Sequence, residues 1–254
     1  RFGVTVQALR QHEDHVSVEL SDGGKEAYDF IVGADGIRSS VRRLEFGHSE
    51  PSFRGQAGWR FTVRRPAGLD DWTAFLGRGS AFLMLPISED WAYCYADQSS
   101  DRAATDSAQG GVERLREHFA DYAPPVCEVL ARLGPADPIH FSAIEEVSRQ
   151  CFGLGRVVLI GDAAHAMSPN MACGAAMAFE DALVLAEIVA RAGSALEVVP
   201  EFAGRRSARV GRVRQQTDRR DRVRSLPPVV RDWLLGLMFS RLYAGNYQPL
   251  LALP

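Results

Sequence analysis

The segment that most constrains this chain begins with Arg156-Val-Val-Leu-Ile-Gly-Asp-Ala-Ala-His165 and extends to Asp181. Val157 to Ile160 form an unbroken apolar run, the pattern of a short strand covered on both faces, as in a parallel sheet. Such a strand commits the chain to helices layered on a sheet. It runs into Gly161 and Asp162, so it delivers a carboxylate at its C-terminal end, where open α/β sheets bind ligands. Beyond a loop containing Pro169, the residues fit a long helix from about Ala172 to Arg191. Ala175, Phe179, Ala182, Leu183, Ala186 and Val189 share one stripe of it at helical spacing. Its first turn, Ala172-Cys173-Gly174-Ala175-Ala176, is made of small residues. Unpaired N–H groups and the positive end of the helix dipole favour an electron-rich ligand there.

A related segment lies near the start. Val4 and Val6, then Val16, Val18 and Leu20, alternate with polar residues, and Asp22-Gly23-Gly24 reads as a turn. A third strand is expected over Tyr28 to Gly33, with Phe30, Ile31 and Val32 buried on both faces. It leads into Ala34-Asp35-Gly36, and Ser39 or Ser40 can cap a short helix holding Val41 and Leu44. From 51 to 100, Trp59, Phe61, Phe75, Phe82, Trp91, Tyr93 and Tyr95 stand among Gly and Pro, as in an antiparallel sheet. Residues 111 to 133 read as helical, with Val112, Leu115, Phe119, Val129 and Leu130 inside and a break at Pro124-Pro125. An Arg-rich helix over 201 to 224 and an apolar segment from Val229 to Leu242 close the chain.

Composition narrows the function. A net charge of −3 on 254 residues offers nothing to nucleic acid. The long helix contains Glu180, Asp181 and Glu187, so it is not a membrane span. Cys94, Cys127, Cys151 and Cys173 are widely spaced and form no C-x-x-C pair, so no metal site and no disulfide framework is expected. A reducing cytoplasm is the simplest compartment. The chain opens at Arg1-Phe2-Gly3, already in a strand-like pattern, as a fragment does.

The stretch Arg156 to Asp181 resembles the GD motif of the class A flavoprotein monooxygenases, the para-hydroxybenzoate hydroxylase and salicylate hydroxylase group. Asp29-Phe-Ile-Val-Gly-Ala-Asp35-Gly36-Ile-Arg38-Ser-Ser-Val-Arg42 resembles their DG motif, and order and separation match as well. The resemblance implies an α/β fold: a glutathione-reductase-like FAD domain, incomplete at its N-terminus, interrupted by a β-sheet substrate domain. Boundaries are expected at 1–48, 49–150, 151–195 and 196–254. It implies FAD as cofactor, NADH or NADPH as reductant, and O₂ as co-substrate, with one oxygen atom passed to a small aromatic molecule. By the same resemblance Gly161 and Asp162 meet the sugar part of FAD. Ala172, Cys173, Gly174, Ala175 and Ala176 present backbone to the flavin ring. Pro169 and Asn170 lie between flavin and substrate, and Asp35 and Gly36 lie near the pyrophosphate and the reductant path. Many members have Gln where Cys173 stands. The G-x-G-x-x-G loop that holds the ADP half of FAD is not in this sequence.

Arg60, Arg78, Tyr93 and Tyr95 could line a substrate pocket, with surface charge and ordinary packing as the alternatives. His165 reads as a structural histidine rather than a catalytic one, and the catalytic acid or base is not assigned. Arg205 to Arg224 read as a solvated helix face. The Trp233 to Phe239 run is expected to pack on the body or on a second subunit, which leaves a homodimer open. Two functional alternatives stand beside the monooxygenase: an FAD reductase or cyclase without oxygen insertion, and a non-catalytic binding remnant.

Overall fold

The computed structural model describes residues 1–47, 50–101 and 111–252; the side chains of 238–244 and 246 are not described. The chain divides into two compact units. One comprises Arg1–Ser52, Glu145–Asp221 and Met238–Pro254, the other Phe53–Ile144 and Arg222–Leu237.

The first unit begins with an antiparallel meander, β1 (Val6–Gln11), β2 (Val16–Leu20) and β3 (Lys25–Tyr28). Val16 and Val18 point inward, and the Asp22-Gly23-Gly24 turn joins β2 to β3. The single third strand expected over Tyr28 to Gly33 is in fact two. Lys25–Tyr28 finish the meander, and β4 (Ile31–Gly33) leaves for another sheet. Asp29 and Phe30 make the break, with Asp29 at a bend between the two pairings. Nor is β4 buried on both faces: Val32 is 44% exposed.

β4 runs into α1 (Ser40–Phe46). It lies parallel to β11 (Val157–Leu159), whose other edge carries the two-residue β10 (Gly153–Leu154). Val157, Val158 and Leu159 are wholly buried, as an unbroken apolar run on a covered strand must be. Beyond β11 come α4 (Asp162–His165), a 3₁₀ turn at Pro169–Met171 and α5 (Gly174–Arg191). α6 is next (Ala195–Arg224), then α7 (Pro228–Tyr247). The core gathers β11, Ala163, Ala164, Val184, Leu185 and Ile188 against Val198, Val199, Phe202 and Val210 of α6.

Two expectations about these helices are corrected. The stripe assigned to the core of α5 is its outer face. Phe179 is 72% and Leu183 64% exposed, and Ala175, Ala182, Ala186 and Val189 are exposed with them. The buried face is Met177, Asp181, Val184, Leu185 and Ile188. Both faces of this helix are apolar, so periodicity could not choose between them; the position of β11 and α6 does. The arginines of α6 are a solvated face only in part: Arg212, Arg219 and Arg222 are exposed, but the others are not spent on solvent. Arg206 is fully buried, and Arg205, Arg206, Arg209, Arg214, Arg220 and Arg224 all bond to protein groups.

The second unit is a five-stranded sheet in the order β6-β7-β8-β5-β9, built from β5 (Ser52–Arg64), β6 (Thr73–Leu76), β7 (Ser80–Pro86), β8 (Trp91–Ser99) and β9 (His140–Glu146). Alternation decides its faces. Phe61, Phe82, Met84, Ala92, Cys94 and Ala96 pack with α2 (Val112–His118) and α3 (Pro124–Arg132) through Leu115, Phe119, Val126 and Val129. Phe119 meets Phe82, Trp59 and Tyr122 edge-on at centroid separations of 5.4, 6.0 and 4.8 Å. The opposite face is left to Arg60, Tyr93, Tyr95 and Asp97. Arg231 donates to the carbonyls of Leu76 and Gly77, and Arg224 to that of Gly79, so both grip the β6–β7 turn. On α7, Val229, Trp233 and Leu237 are exposed, so the expected packing of Trp233 on the body does not occur within the described residues. Met238, Phe239 and Leu242 lie outside the described side chains.

Candidate functional site

Two segments of the first unit meet at the C-terminal ends of β4 and β11. In the first, Asp35 closes on itself. Its carboxylate accepts from Ser39 Oγ at 2.5 Å, Ser40 N at 2.7 Å, Ser40 Oγ at 2.8 Å and Val41 N at 3.1 Å, so it caps α1. Burial opposes its charge, but the bonds from Ser39, Val41 and Ser40 outweigh that and hold the carboxyl below the usual range. Gly36 comes after it with φ +79°. Arg42, 2% exposed, reaches back across the unit and donates to Ile37 O at 2.5 Å and Ala163 O at 2.7 Å. It ties the two motif segments together, a role that sequence reasoning missed although Arg42 stood in the motif.

In the second segment Gly161 has φ +56° and ψ −140°, backbone that a side chain would strain, and a Cβ there would lie 3.1 Å from Ala178 Cβ. Asp162 is next and is exposed. No hydrogen bond or ion pair of its carboxylate is found among the described residues. His165 is 1% exposed, and its Nε2 lies 2.6 Å from Asp181 Oδ2.

The helix does not start at Ala172. Pro169–Met171 form a 3₁₀ turn, Ala172 takes a left-handed conformation at φ +51°, and Cys173 is the N-cap of α5. A non-glycine residue there costs on the order of 1 kcal/mol and is commonest where a loop serves a ligand. The loop is held from beneath. Asn170 Nδ2 donates to Asp221, Arg220 to Asn170 O at 2.8 Å, and Tyr247 Oη to Met171 O at 3.0 Å. Cys173 turns its Sγ inward to Met171 O at 3.1 Å, and burial pushes the thiol up, so only its backbone faces out. Ala172, Gly174, Ala175 and Ala176 are exposed, no side chain caps α5, and space is open above Gly174.

These residues fit a flavin. The free Asp162 carboxylate can accept from sugar hydroxyls, and uncapped N–H groups at Gly174 to Ala176 suit an electron-rich ring edge. The buried Ser168 Oγ beside Pro169 has no partner among the described residues. No group of His, Cys, Asp or Glu among the described residues is arranged to hold a metal.

A family model described as an FAD-binding domain matches residues 1–197. The chain belongs to this FAD-binding family. The resemblance to class A flavoprotein monooxygenases is thereby supported, and relatives agree with it. The chain is 38% identical over 227 residues to a 2-heptyl-3-hydroxy-4(1H)-quinolone synthase of Pseudomonas aeruginosa, covering 85% of this chain and 57% of that protein. It is 30% identical over 216 residues to an FAD-dependent urate hydroxylase of Klebsiella pneumoniae, covering 83% of this chain and 56% of that protein. A Klebsiella pneumoniae HpxO variant crystallised with FAD superposes with a TM-score of 0.87 at 25% identity, covering all of this chain and 69% of that one. The chain thus spans a little over half the length of these curated relatives.

In the second unit, Arg60, Tyr93 and Tyr95 come together on the sheet face turned away from α2 and α3, where Tyr95 is buried and its hydroxyl is enclosed. Arg60 pairs across from Tyr95 and its guanidinium carbon lies 5.5 Å from the Tyr95 ring centre; it also donates to Ser142 Oγ at 3.0 Å. Burial raises the Tyr93 hydroxyl despite Arg60 beside it. Tyr95 is raised further, by burial and by Asp97, which Arg224 holds as a bidentate pair. Arg78 does not join them: it is exposed in the β6–β7 turn.

Proposed function

We propose that this chain carries the flavin-ring half of an FAD-dependent monooxygenase that hydroxylates a small aromatic substrate, with NADH or NADPH as reductant and O₂ as co-substrate. The observation that carries the reading is the unspent Asp162 carboxylate at the end of β11, next to an uncapped helix start of small residues, in a chain of the FAD-binding family.

The residues divide the work. Gly161 and Asp162 hold the sugar part of FAD. The backbone of Ala172, Cys173, Gly174, Ala175 and Ala176 binds the ring edge, and Pro169 and Asn170 border the substrate. When bound, FAD supplies electron transfer to O₂ and oxygen insertion, while the protein supplies position and a dry surface. Asp35 and Gly36 shape the neighbouring loop, Asp35 as the α1 cap. On the second unit, the half-buried Arg60 and Tyr93 offer a cation and a hydroxyl beside the buried Tyr95 ring, which suits a planar molecule bearing an oxyanion or carbonyl. The relatives named as a quinolone synthase and a urate hydroxylase favour a nitrogen heterocycle. Four free thiols suit a reducing compartment, and we place the protein in the cytoplasm. The Val229, Trp233 and Leu237 stripe gives a homodimer a surface. No described helix is long and apolar enough to cross a membrane.

The test is a panel of phenols, quinolones, purines and aromatic acids offered to the intact, FAD-loaded protein with NAD(P)H and isotopically labelled O₂. We expect faster NAD(P)H oxidation with a matching substrate and one labelled oxygen in its product. Label found only in water and peroxide across the panel would support the reductase or cyclase reading instead.

A further inference from the structure

Asp181 lies in the middle of α5, on its buried face, and is itself fully buried. Its two oxygens serve two different parts of the fold. Oδ2 accepts from the Gly161 N–H at 2.8 Å and meets His165 Nε2 at 2.6 Å, and Oδ1 accepts from Arg206 Nε at 2.7 Å. Gly161 and His165 bracket α4, whose first residue is Asp162. The Gly161 carbonyl in turn accepts from Ala164 N at 2.9 Å and His165 N at 3.0 Å, so both polar groups of that peptide residue are fixed. Arg206 cannot swing away: Nη1 bonds Glu180 Oε2 at 2.8 Å and Nη2 bonds Met177 O at 3.3 Å.

A buried ion pair is a weak way to stabilise a helix interface; apolar side chains of the same volume generally do as well or better. What a carboxylate adds here is an acceptor for a main-chain N–H and an imidazole at once. We propose that Asp181, oriented by Arg206, is a positioning residue for FAD: it fixes both ends of the Gly161–His165 turn and so the direction in which Asp162 presents its carboxylate. This rests on the reading of Asp162 as an FAD ligand.

The test is a double-mutant cycle on the FAD dissociation constant of the intact protein. Apoprotein is titrated well below each variant's unfolding midpoint, which is measured separately. Asp162→Ala and Asp181→Asn should each weaken FAD by about tenfold. The double variant should bind no more weakly than Asp162→Ala, because Asp181 acts through Asp162. Visible circular dichroism of the bound flavin should change in Asp181→Asn. If Asp181→Asn does not fold, Arg206→Lys replaces it; it keeps a charge near Asp181 but loses the bonds to Glu180 and Met177, and should weaken FAD by about threefold with the same non-additivity. A lowered midpoint with unchanged FAD affinity, while Asp162→Ala weakens binding, would overturn the positioning role, as would losses that multiply in the double variant. If Asp162→Ala itself leaves affinity unchanged, the assignment of Asp162 falls, and this inference with it.

Discussion

Replacing Arg206 by Met removes a guanidinium with no solvent exposure and leaves the equally buried Asp181 with Gly161 and His165 as its partners among the described residues. Breaking a buried pair by removing one member costs about 3–5 kcal/mol, because the remaining charge keeps its desolvation penalty. That is a large part of a stability of about 5–15 kcal/mol. Arg205, one residue away, pairs with Glu187 at the surface, with side chains 27% and 61% exposed; Arg205→Met should cost about 0–1 kcal/mol. The choice of probe matters. All four tryptophans, Trp59, Trp72, Trp91 and Trp233, lie in the second unit, so fluorescence does not report on the unit that is perturbed. Hydrogen exchange of peptides covering β11, α4 and α5 does. At about 1.4 kcal/mol per factor of ten, Arg206→Met should speed their exchange by roughly 10² to 10³·⁵, with little change in β7 and β8. Acceleration of less than about fivefold, or an equal effect in Arg205→Met, would show that the buried Arg206–Asp181 pair does not carry this stability.

The same geometry gives two further outcomes. Burial opposes ionisation of Asp181, but bonds from His165, Gly161 and Arg206 prevail and lower its pKa, so its contribution is present above the unfolded carboxylate pKa of about 3.9 and is lost as pH falls below it. Exchange around α4 should therefore accelerate as pH drops through the acid range, after correction for intrinsic rates, and Asp181→Asn should flatten that dependence. Asp35→Ala removes an acceptor that serves Ser39, Ser40 and Val41, and should cost roughly 1–2 kcal/mol, seen as faster exchange confined to α1; an unchanged α1 would show that Ser39 Oγ, which accepts from Arg42 N at 2.9 Å, caps the helix alone.

Much of the arrangement was legible from local chemistry. The unbroken apolar run Val157 to Leu159, bounded by Gly155 and Gly161, fits a strand covered on both sides and is one, whereas the similar run at Phe30 to Val32 leaves Val32 exposed. Small residues after Pro169 fixed where a backbone-lined helix start would be, to within two residues; the shift arose because Pro169 favours a 3₁₀ turn and Ala172 then turns left-handed. The aromatic sheet and its two helices were legible from alternation and from Pro124-Pro125.

Other features depended on contacts remote in sequence. α5 carries two apolar stripes, and only the presence of β11 and α6 on one side decides that Val184 and Ile188 are buried while Phe179 and Leu183 are exposed. A signal was present in the pattern: Asp181 interrupts the stripe Met177, Val184, Leu185, Ile188, and Arg206 interrupts Phe202, Val210, Val213. A charge on a core-facing stripe demands a partner of opposite sign, but its identity lies 25 residues away and is set by how two helices cross. The same holds for Arg42, whose bond to Ala163 O spans 121 residues, and for Arg224 on Asp97, which spans 127. Sequence thus determined the strand, the turn and the chemical character of the site, because these depend on neighbours along the chain. The packing of elements remote in sequence is what spends the carboxylate of Asp181 on internal bonds, while that of Asp35 is spent on its own helix and that of Asp162 is left exposed and without a partner among the described residues.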